Sequence, residues 1–406
     1  MKFLVLIALL FSINVSAHQH SFNTNTSTSN ETSSILINTD ILEHLNYNYD
    51  KNIESFGVVN FHATERQLEE IHDIAHEKFN RCGGYELVTK EDGLESLTEL
   101  TIQNYESQIK LMYFSPSNIQ FNFKSEILSA TEELDSDNLK ETVLELSSFN
   151  SRGSKSDSPN DHVELMKDNV DYIIADSPLE ITSELIDHSR TEQQTLKVRI
   201  EGTQRPSEII VLGGHLDSRS RFRSPAPGAD DNASGSANLL EILRVLSQQK
   251  APERTIEFFW YAAEEIGLIG SAEIAKEYKA NNIDMVAAMQ LDMTGFAGSG
   301  VFNIANVTDY TSPWLQQTLL ELNKHYAGAI VHESSCGYGC SDHASWFRQG
   351  YDTVFPIEAK FRQSNKNIHT KRDTIDKLNF EHSLVFAKLG LAFAMELANS
   401  ELRGPE

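Results

Sequence analysis

The sequence contains little cysteine, little positive charge and few long apolar segments. Only 3 of its 406 residues are cysteine, too few for a fold held together mainly by disulfide bonds. Lysine and arginine number 34 against 59 aspartate and glutamate residues, a formal net charge of −25. Such a surface repels phosphate backbones, which excludes non-specific nucleic-acid binding as a function. The one long apolar run is at the extreme N-terminus, so several membrane spans are also excluded.

The first 17 residues have the features of an export signal. Lys2 supplies a positive charge, and residues 3–13 are nearly all apolar but too few to cross a bilayer. Small residues precede a predicted cleavage after Ala17. We therefore expect a secreted protein, extracellular or periplasmic, without a stable membrane anchor. Export places the chain in an oxidising compartment, where disulfide bonds persist.

The rest of the chain divides into a small and a large part. Residues 18–34 are rich in Ser, Thr, Asn and His, which is typical of a flexible leader. Residues 35–114 show a small α+β pattern, with a strand over 53–61 and a helix over 64–80. The segment Ser115-Pro116-Ser117 interrupts this pattern. We therefore predict a small domain at 18–115 and a large one at 116–406, since 40% hydrophobic residues suffice for a sizeable core.

In the large domain, short apolar runs alternate with helical patterns. The predicted strands are residues 196–200, 209–213, 255–262, 285–291, 301–304 and 353–357. The predicted helices are residues 139–148, 161–176, 234–248, 266–278, 312–326 and 380–398. This alternation predicts an α/β three-layer sandwich with a mixed, largely parallel central sheet. In such sheets, functional groups lie outside the carboxyl ends of the strands.

Acidic residues and histidines follow most of these strands. They are His215, Asp217, Asp230, Asp231, Glu264, Glu265, Asp292 and His369. Clustered carboxylates repel each other unless a cation neutralises them, and a mixed imidazole and carboxylate set suits zinc. Five ligands with one bridging carboxylate suit two zinc ions about 3.5–4 Å apart. Adjacent Glu264 and Glu265 allow one to bind metal while the other acts as a general base.

Six segments together resemble the bacterial leucyl aminopeptidases of the M28 zinc peptidase family. They are GGHLDS, GADDNASG, AAEEIGLIGS, QLDMT, CGYGCSDHASW and IHTKRDT, and they occur in the family's order over residues 125–400. The resemblance implies the zinc-dependent exopeptidase fold. It also implies a hydrolase that releases N-terminal residues, preferably large hydrophobic ones such as Leu, from peptides with a free N-terminus.

The resemblance also implies a role for each residue of the metal centre. His215, Asp230 and Asp292 correspond to the ligands of one zinc ion. Asp230, Glu265 and His369 correspond to those of the other, with Asp230 as the bridge.

Further residues receive roles by the same resemblance. Glu264 corresponds to the general base, and Asp217 to the carboxylate that orients His215. The family carries a cis peptide bond at the position that matches Asp230 and Asp231.

The same family pattern implies an apolar substrate pocket. Its residues are Met293, Cys336, Tyr338, Cys340, Phe355, Phe361 and Ile368. Such a pocket favours Leu, Met and Phe, and the family pairs Cys336 with Cys340 as a disulfide bond. The segment Arg362-Gln363-Ser364 departs from the family, which often has an aromatic residue there.

The small domain resembles the propeptides of this family. The implied role is that of a chaperone and inhibitor that an activating protease removes. Cys82 is the odd cysteine, and its removal would leave the mature chain with an even number. A permanent accessory domain remains the alternative. We expect the protein to be a monomer.

His72 and His76 lie in the small domain, in the segment HDIAH. This segment has the histidine spacing of the H-E-x-x-H zinc motif, with Asp73 in place of Glu. Asp is one methylene shorter than Glu, and the predicted helix precedes the catalytic domain. We therefore expect core or surface histidines here and no metal site.

Other functions remain open or can be set aside. A glutaminyl cyclase shares the fold but uses one zinc ion, and a non-catalytic binding module would lack part of the ligand set. A carboxypeptidase needs a cationic pocket, for which the candidates are Arg219, Arg221, Arg223, Arg348 and Arg362, all expected to face solvent. The adjacent Ser341, Asp342 and His343 do not form a serine-hydrolase triad, because no G-x-S-x-G motif is present. His343 is expected to begin a helix.

Overall fold

The structure is a computed structural model that describes residues 32–49, 58–79, 84–88, 124–219 and 225–404. Several predictions lie outside these ranges: the export signal, most of the leader, Cys82, the boundary at 115, Arg221 and Arg223. Among the described residues, no helix is both long and apolar enough to cross a membrane.

The N-terminal part is a small antiparallel sheet with two helices. Its strands β1 (Thr32–Asn38), β2 (Val58–Thr64) and β3 (Tyr85–Val88) have the order β2-β1-β3. Its helices are α1 (Thr39–His44) and α2 (Glu65–Phe79), and α2 confirms the helix predicted over 64–80. The predicted flexible leader ends earlier than expected, because Thr32 already pairs with Thr64 across the sheet. Backbone pairing with β2 begins at Thr32, before Ile35, the first apolar residue of the strand.

A capping box fixes the start of α2. The backbone N–H of Thr64 donates to Oε1 of Gln67 over 2.9 Å, and the N–H of Gln67 donates to Oγ1 of Thr64 over 3.3 Å. This reciprocal pair satisfies two N–H groups at the helix start. Ile71 and Ala75 then pack into the core of the small sheet.

The central sheet of the large part has six strands in the order β11-β8-β6-β7-β5-β4. They are β4 (Ile181–Ile186), β5 (Thr195–Ile200), β6 (Arg205–His215), β7 (Arg254–Tyr261), β8 (Asp284–Gln290) and β11 (Thr353–Val354). The strands β7, β6, β8 and β11 are parallel, whereas β5 and β4 pair antiparallel. A mixed, largely parallel sheet was predicted and is confirmed.

A second sheet of three strands has the order β10-β9-β12. It contains β9 (Asn303–Val307), β10 (Ile330–Ser334) and β12 (Pro356–Ile357). The sequence did not predict β4 and β10. Both are edge strands with partly exposed residues throughout, so neither has the apolar run of a buried strand.

Helices cover both faces of the central sheet. They are α3 (Lys124–Thr131), α4 (Ser136–Ser147), α5 (Asp161–Ile174), α6 (Gly235–Leu246), α7 (Ile269–Ala280), α8 (Pro313–Leu322), α9 (His343–Arg348) and α10 (Phe380–Ala398). Successive residues of β7 point to opposite faces: Phe258 packs in the core with α6 and α10, and Phe259 packs with α7 and Trp346. Two cores on opposite faces make the predicted three-layer sandwich. The described residues from Thr32 onward form one compact unit that includes the small sheet.

Candidate metal centre

The carboxyl ends of the central parallel strands meet at one edge of the sheet. His215 is the last residue of β6, Glu264 and Glu265 form a turn after β7, and Asp292 follows β8. An irregular turn, Ala229–Ser234, lies at the same edge and leads into α6.

Glycine lets this turn approach β8 closely. A Cβ atom on Gly235 would lie 2.2 Å from the carbonyl oxygen of Leu291, and one on Gly214 would lie 2.4 Å from the same oxygen. A larger residue at Gly235 would push the turn away from the chain after β8, and one at Gly214 would push the end of β6 away from it.

Three residues form the first possible ligand group, which is His215, Asp231 and Asp292. Nε2 of His215 lies 3.1 Å from Oδ1 of Asp231 and 3.5 Å from Oδ1 of Asp292. All three side chains are buried.

A second group forms around His369. Its Nε2 atom lies 3.0 Å from Oε2 of Glu265 and 3.0 Å from Oδ2 of Asp231. The two carboxylate oxygens of Asp231 therefore face two different histidines, His215 and His369. This is the arrangement of a bridging carboxylate.

The prediction that Asp230 occupies the bridging position is therefore wrong by one residue. The Asp230 carboxylate accepts hydrogen bonds from the backbone N–H of Gly295 (3.1 Å) and from Nδ2 of Asn365 (2.9 Å), away from both ligand groups. Burial raises the pKa of Asp230 to about 6. The cis peptide bond also lies one residue later than expected, between Asp231 and Asn232. Adjacent residues of a turn project in different directions, and the motif alone does not say which one faces the histidines.

Asp373 holds this turn in place, and the sequence did not single it out. The backbone N–H of Asp231 donates to its carboxylate over 3.0 Å, and that of Asp230 over 3.2 Å. Burial raises the pKa of Asp373 well above its usual range. Its position shortly after His369, in the same segment IHTKRDT, was the available signal.

The Asp217 carboxylate contacts residues of both ligand groups. Its Oδ1 atom is 3.4 Å from Nδ1 of His215 and accepts the backbone N–H of Glu264 over 3.1 Å. Its Oδ2 atom accepts the backbone N–H of Glu265 over 3.3 Å. One carboxylate thus orients the His215 ring and the turn of the two glutamates, in the place expected from the sequence.

Ser341, which was not expected to act as a nucleophile, forms hydrogen bonds next to the first ligand group. Its hydroxyl donates to Oδ2 of Asp292 over 2.6 Å and accepts from Nε2 of Gln290 over 2.9 Å. His343 begins α9, as predicted, and its Nε2 atom faces the backbone oxygen of Asp309 at 3.2 Å. These three residues do not converge as a catalytic triad.

The donor set and its surroundings fit zinc. Two atoms that share one zinc ion at 2.0–2.2 Å are roughly 3–3.5 Å apart, which matches the separations around Asp231. Oε1 of Glu265 and Oδ1 of Asp292 are buried and accept no hydrogen bond from any residue that the structure describes. A cation in these groups would satisfy such oxygens.

The two neighbouring glutamates differ in their relation to the ligand groups. Glu265 belongs to the second group, whereas Glu264 belongs to neither of those found among the described residues. Both are buried, and burial raises the pKa of each carboxyl. The pKa of Glu264 is raised well above its usual range, although the nearby His215 partly opposes the effect of burial. At Asp231 burial is outweighed by His215 and His369, which hold its pKa well below the usual range.

The expected pocket residues form one apolar cluster beside the ligands. Its members are Met293, Cys336, Tyr338, Cys340, Phe355, Phe361 and Ile368, together with Ala305, Val307 and Ile357. Met293 directly follows Asp292 and Ile368 directly precedes His369, so the cluster adjoins both ligand groups. A disulfide bond joins Cys336 and Cys340.

The described arginines do not all face solvent as expected. Arg362 is exposed. Arg219 donates from Nη1 to the backbone oxygen of Glu265 over 2.9 Å, and Arg348 forms an ion pair with the buried Glu86 of β3. Arg219 and Arg348 are thus bound to other groups of this protein.

The HDIAH segment, from which no metal site was expected, lies beside the second ligand group. His72 is buried and its ring centroid lies 4.8 Å from that of His369, and the His76 ring lies 5.1 Å from it. Ligand atoms of His72, Glu265 and His369 all lie within 4.8 Å of one another. The histidine spacing was the available signal, but the sequence does not show where α2 docks.

Comparisons with known proteins agree with this architecture. The sequence model described as "Peptidase family M28" matches residues 196–394. Leucine aminopeptidase 1 of Coccidioides posadasii is 37% identical in an alignment of 310 residues, which covers 71% of this chain and 79% of that protein. The Legionella pneumophila LapA aminopeptidase structure is similar, with a TM-score of 0.79 and 27% identity. The match covers 91% of this chain and 99% of the LapA chain. Residues 116–406 are a smaller share of this chain, so the match also includes residues that precede 116.

A glutaminyl cyclase from Porphyromonas gingivalis is similar in fold alone, with a TM-score of 0.53 and 17% identity over 65% of this chain and 99% of that chain. The curated relative is fungal and the LapA structure is bacterial, so the similarity is wider than the bacterial enzymes that the motifs indicated. The chain belongs to peptidase family M28 and is a zinc-dependent aminopeptidase.

Proposed function

We propose that this chain is a secreted aminopeptidase with two zinc ions that removes large hydrophobic N-terminal residues, Leu foremost, from peptides. The observation that carries the proposal is Asp231, whose two carboxylate oxygens face His215 and His369 at 3.1 and 3.0 Å. Asp231 forms one ligand group with His215 and Asp292. It also faces His369, which lies 3.0 Å from Glu265 and forms the other group with it. Bound zinc would supply a water of lowered pKa and polarise the scissile carbonyl.

Glu264 supplies the proton chemistry of this proposal. Its backbone is fixed by Asp217, and its side chain lies outside both ligand groups. As a general base it takes a proton from the attacking water and gives it to the leaving amine. The raised pKa of the buried carboxyl suits a group that must hold this proton between the two steps.

Two features support the choice of substrate. The apolar cluster beside Asp292 and His369 offers a pocket for an uncharged side chain. The excess of buried carboxylates at the same edge attracts a free α-amine, which restricts cleavage to N-termini.

The small N-terminal domain acts in this proposal as an inhibitor that an activating protease removes. Asn38 donates from Nδ2 to the backbone oxygen of Gly337 over 2.7 Å, within the loop closed by the disulfide bond. The N–H of Leu87 donates to the backbone oxygen of Gly267 over 3.4 Å, two residues after Glu265. Both contacts lie beside the substrate pocket and the ligands.

The test is hydrolysis of leucine 4-nitroanilide by the purified chain before and after limited proteolysis, with zinc counted in the same samples. We expect activity that rises on trimming, with close to two zinc ions per chain. One tightly bound zinc ion and no hydrolysis would contradict the proposal and favour a glutaminyl cyclase, for which glutaminyl peptides are the next substrates.

A further inference from the structure

Helix α2 carries two histidines toward the metal centre. His72 and His76 are four residues apart and so lie on one side of the helix. Their neighbours Ile71 and Ala75 pack into the core of the small sheet. The helix is therefore held on one side by its own domain and presents the two histidines to His369.

We propose that His72 is a ligand of the metal ion that Asp231, Glu265 and His369 hold, so that the N-terminal domain binds the centre through zinc. This inference rests on the proposed metal centre. His72 is 4% exposed, and its ligand atom lies within 4.8 Å of those of Glu265 and His369. An imidazole at this position matches the chemistry of the group it joins.

The number of ligands explains what His72 does. Asp231, Glu265 and His369 make three protein ligands, and His72 makes a fourth. Catalytic zinc sites keep three protein ligands and one open position, whereas four ligands close a tetrahedral site. His72 therefore occupies the position that water or substrate needs at this ion.

The other ligand group lacks such a closing residue among the residues that the structure describes. It contains His215, Asp231 and Asp292 alone. The full chain would accordingly hold one closed and one open metal position. Removal of the N-terminal domain would open the first without changing the second.

The domain is also attached by contacts that do not involve His72. Glu86 forms an ion pair with Arg348, and a Cβ atom on Gly339 would lie 1.9 Å from Oε1 of Glu86. Lys155 and Glu65 form an exposed ion pair at 3.1 Å. Loss of His72 alone should therefore leave the domain docked, so that an effect on the metal can be separated from release of the domain.

The test compares full-length wild-type protein with H72Q, and uses H62Q as the matched control. His62 is exposed on β2 of the same domain. X-ray absorption of the zinc-loaded proteins should show three imidazole ligands per two zinc ions in wild type and H62Q, and two in H72Q. Release of the more labile zinc ion to a chelator should be at least about tenfold faster in H72Q.

Each outcome decides the inference. Equal imidazole counts and equal release rates in wild type and H72Q would overturn it, as would a loss of one imidazole in H76Q with none in H72Q. The wild-type count needs no variant, so two imidazoles per two zinc ions there would also overturn it, even if H72Q failed to fold. Fewer than two zinc ions in wild type would instead contradict the proposed function.

Discussion

Oδ1 of Asp231 lies 3.1 Å from Nε2 of His215. The second oxygen of the same carboxylate faces His369, and the backbone N–H of Asp231 is held by Asp373. One side chain therefore connects the end of β6 with the segment after β12, and it faces both candidate ligand groups.

Replacement of Glu264 should remove catalysis without removing metal. We expect E264Q and E264A to lower kcat by about 10²–10⁴-fold, because the proton transfer loses its base. Zinc content should match that of wild type, since Glu264 belongs to neither ligand group among the described residues. Steady-state kinetics with a zinc count on the same samples checks both statements, and full activity in E264Q would exclude the assigned role.

Phe361 should contribute to the preference for large side chains. It packs at the edge of the apolar pocket cluster and is only partly buried, so F361A should fold. We expect the ratio of kcat/KM for Leu over Ala substrates to fall about tenfold, because the Leu side chain loses contacts that Ala never makes.

The control for that measurement is F302A. Phe302 is 47% exposed and is not a member of the pocket cluster. An unchanged Leu-to-Ala ratio in F361A, or an equal change in F302A, would contradict the pocket assignment.

Arg152 should stabilise the loops behind the metal centre. It is fully buried and donates to the backbone oxygens of Leu216, Leu146 and Gly228, each over 2.9 Å. Burial lowers its pKa to about 10, which leaves it charged at neutral pH. R152M removes one donor from each of these oxygens, although the backbone N–H of Ala233 still donates to that of Gly228 over 3.0 Å. We expect this loss to lower the free energy of unfolding by at least about 3 kcal/mol.

Urea denaturation checks this prediction, with R66M as the control. Arg66 is exposed and pairs with Glu70 one helical turn away, so its loss should cost less than about 0.5 kcal/mol. Equal midpoints for R152M and wild type would show that the buried guanidinium does not hold these loops.

Much of the fold followed from local patterns in the sequence. The helix predicted over residues 380–398 is observed as Phe380–Ala398, because a buried helix with its own asparagine cap is specified locally. The central strands were recognised by their apolar runs. The edge strand β4 was not, because its half-exposed residues leave no such run.

Local sequence patterns were not sufficient to predict the arrangement of the site. The sequence located the segment GADDNASG but did not distinguish Asp230 from Asp231, since the choice depends on contacts with Asn365 and Asp373 that are distant in the chain. The position of His72 beside His369 was not predicted, for a related reason. Its position depends on how the small domain docks, and helical spacing carries no information about docking.

The most direct test of the account is the zinc content of D231N beside that of D230N, measured after dialysis in the full-length chain. Asp231 faces both histidines, whereas Asp230 bonds to Gly295 and Asn365. We predict that D231N loses at least one zinc ion and its activity after trimming, while D230N keeps both zinc ions. Two retained zinc ions in D231N, with metal lost in D230N, would contradict the account.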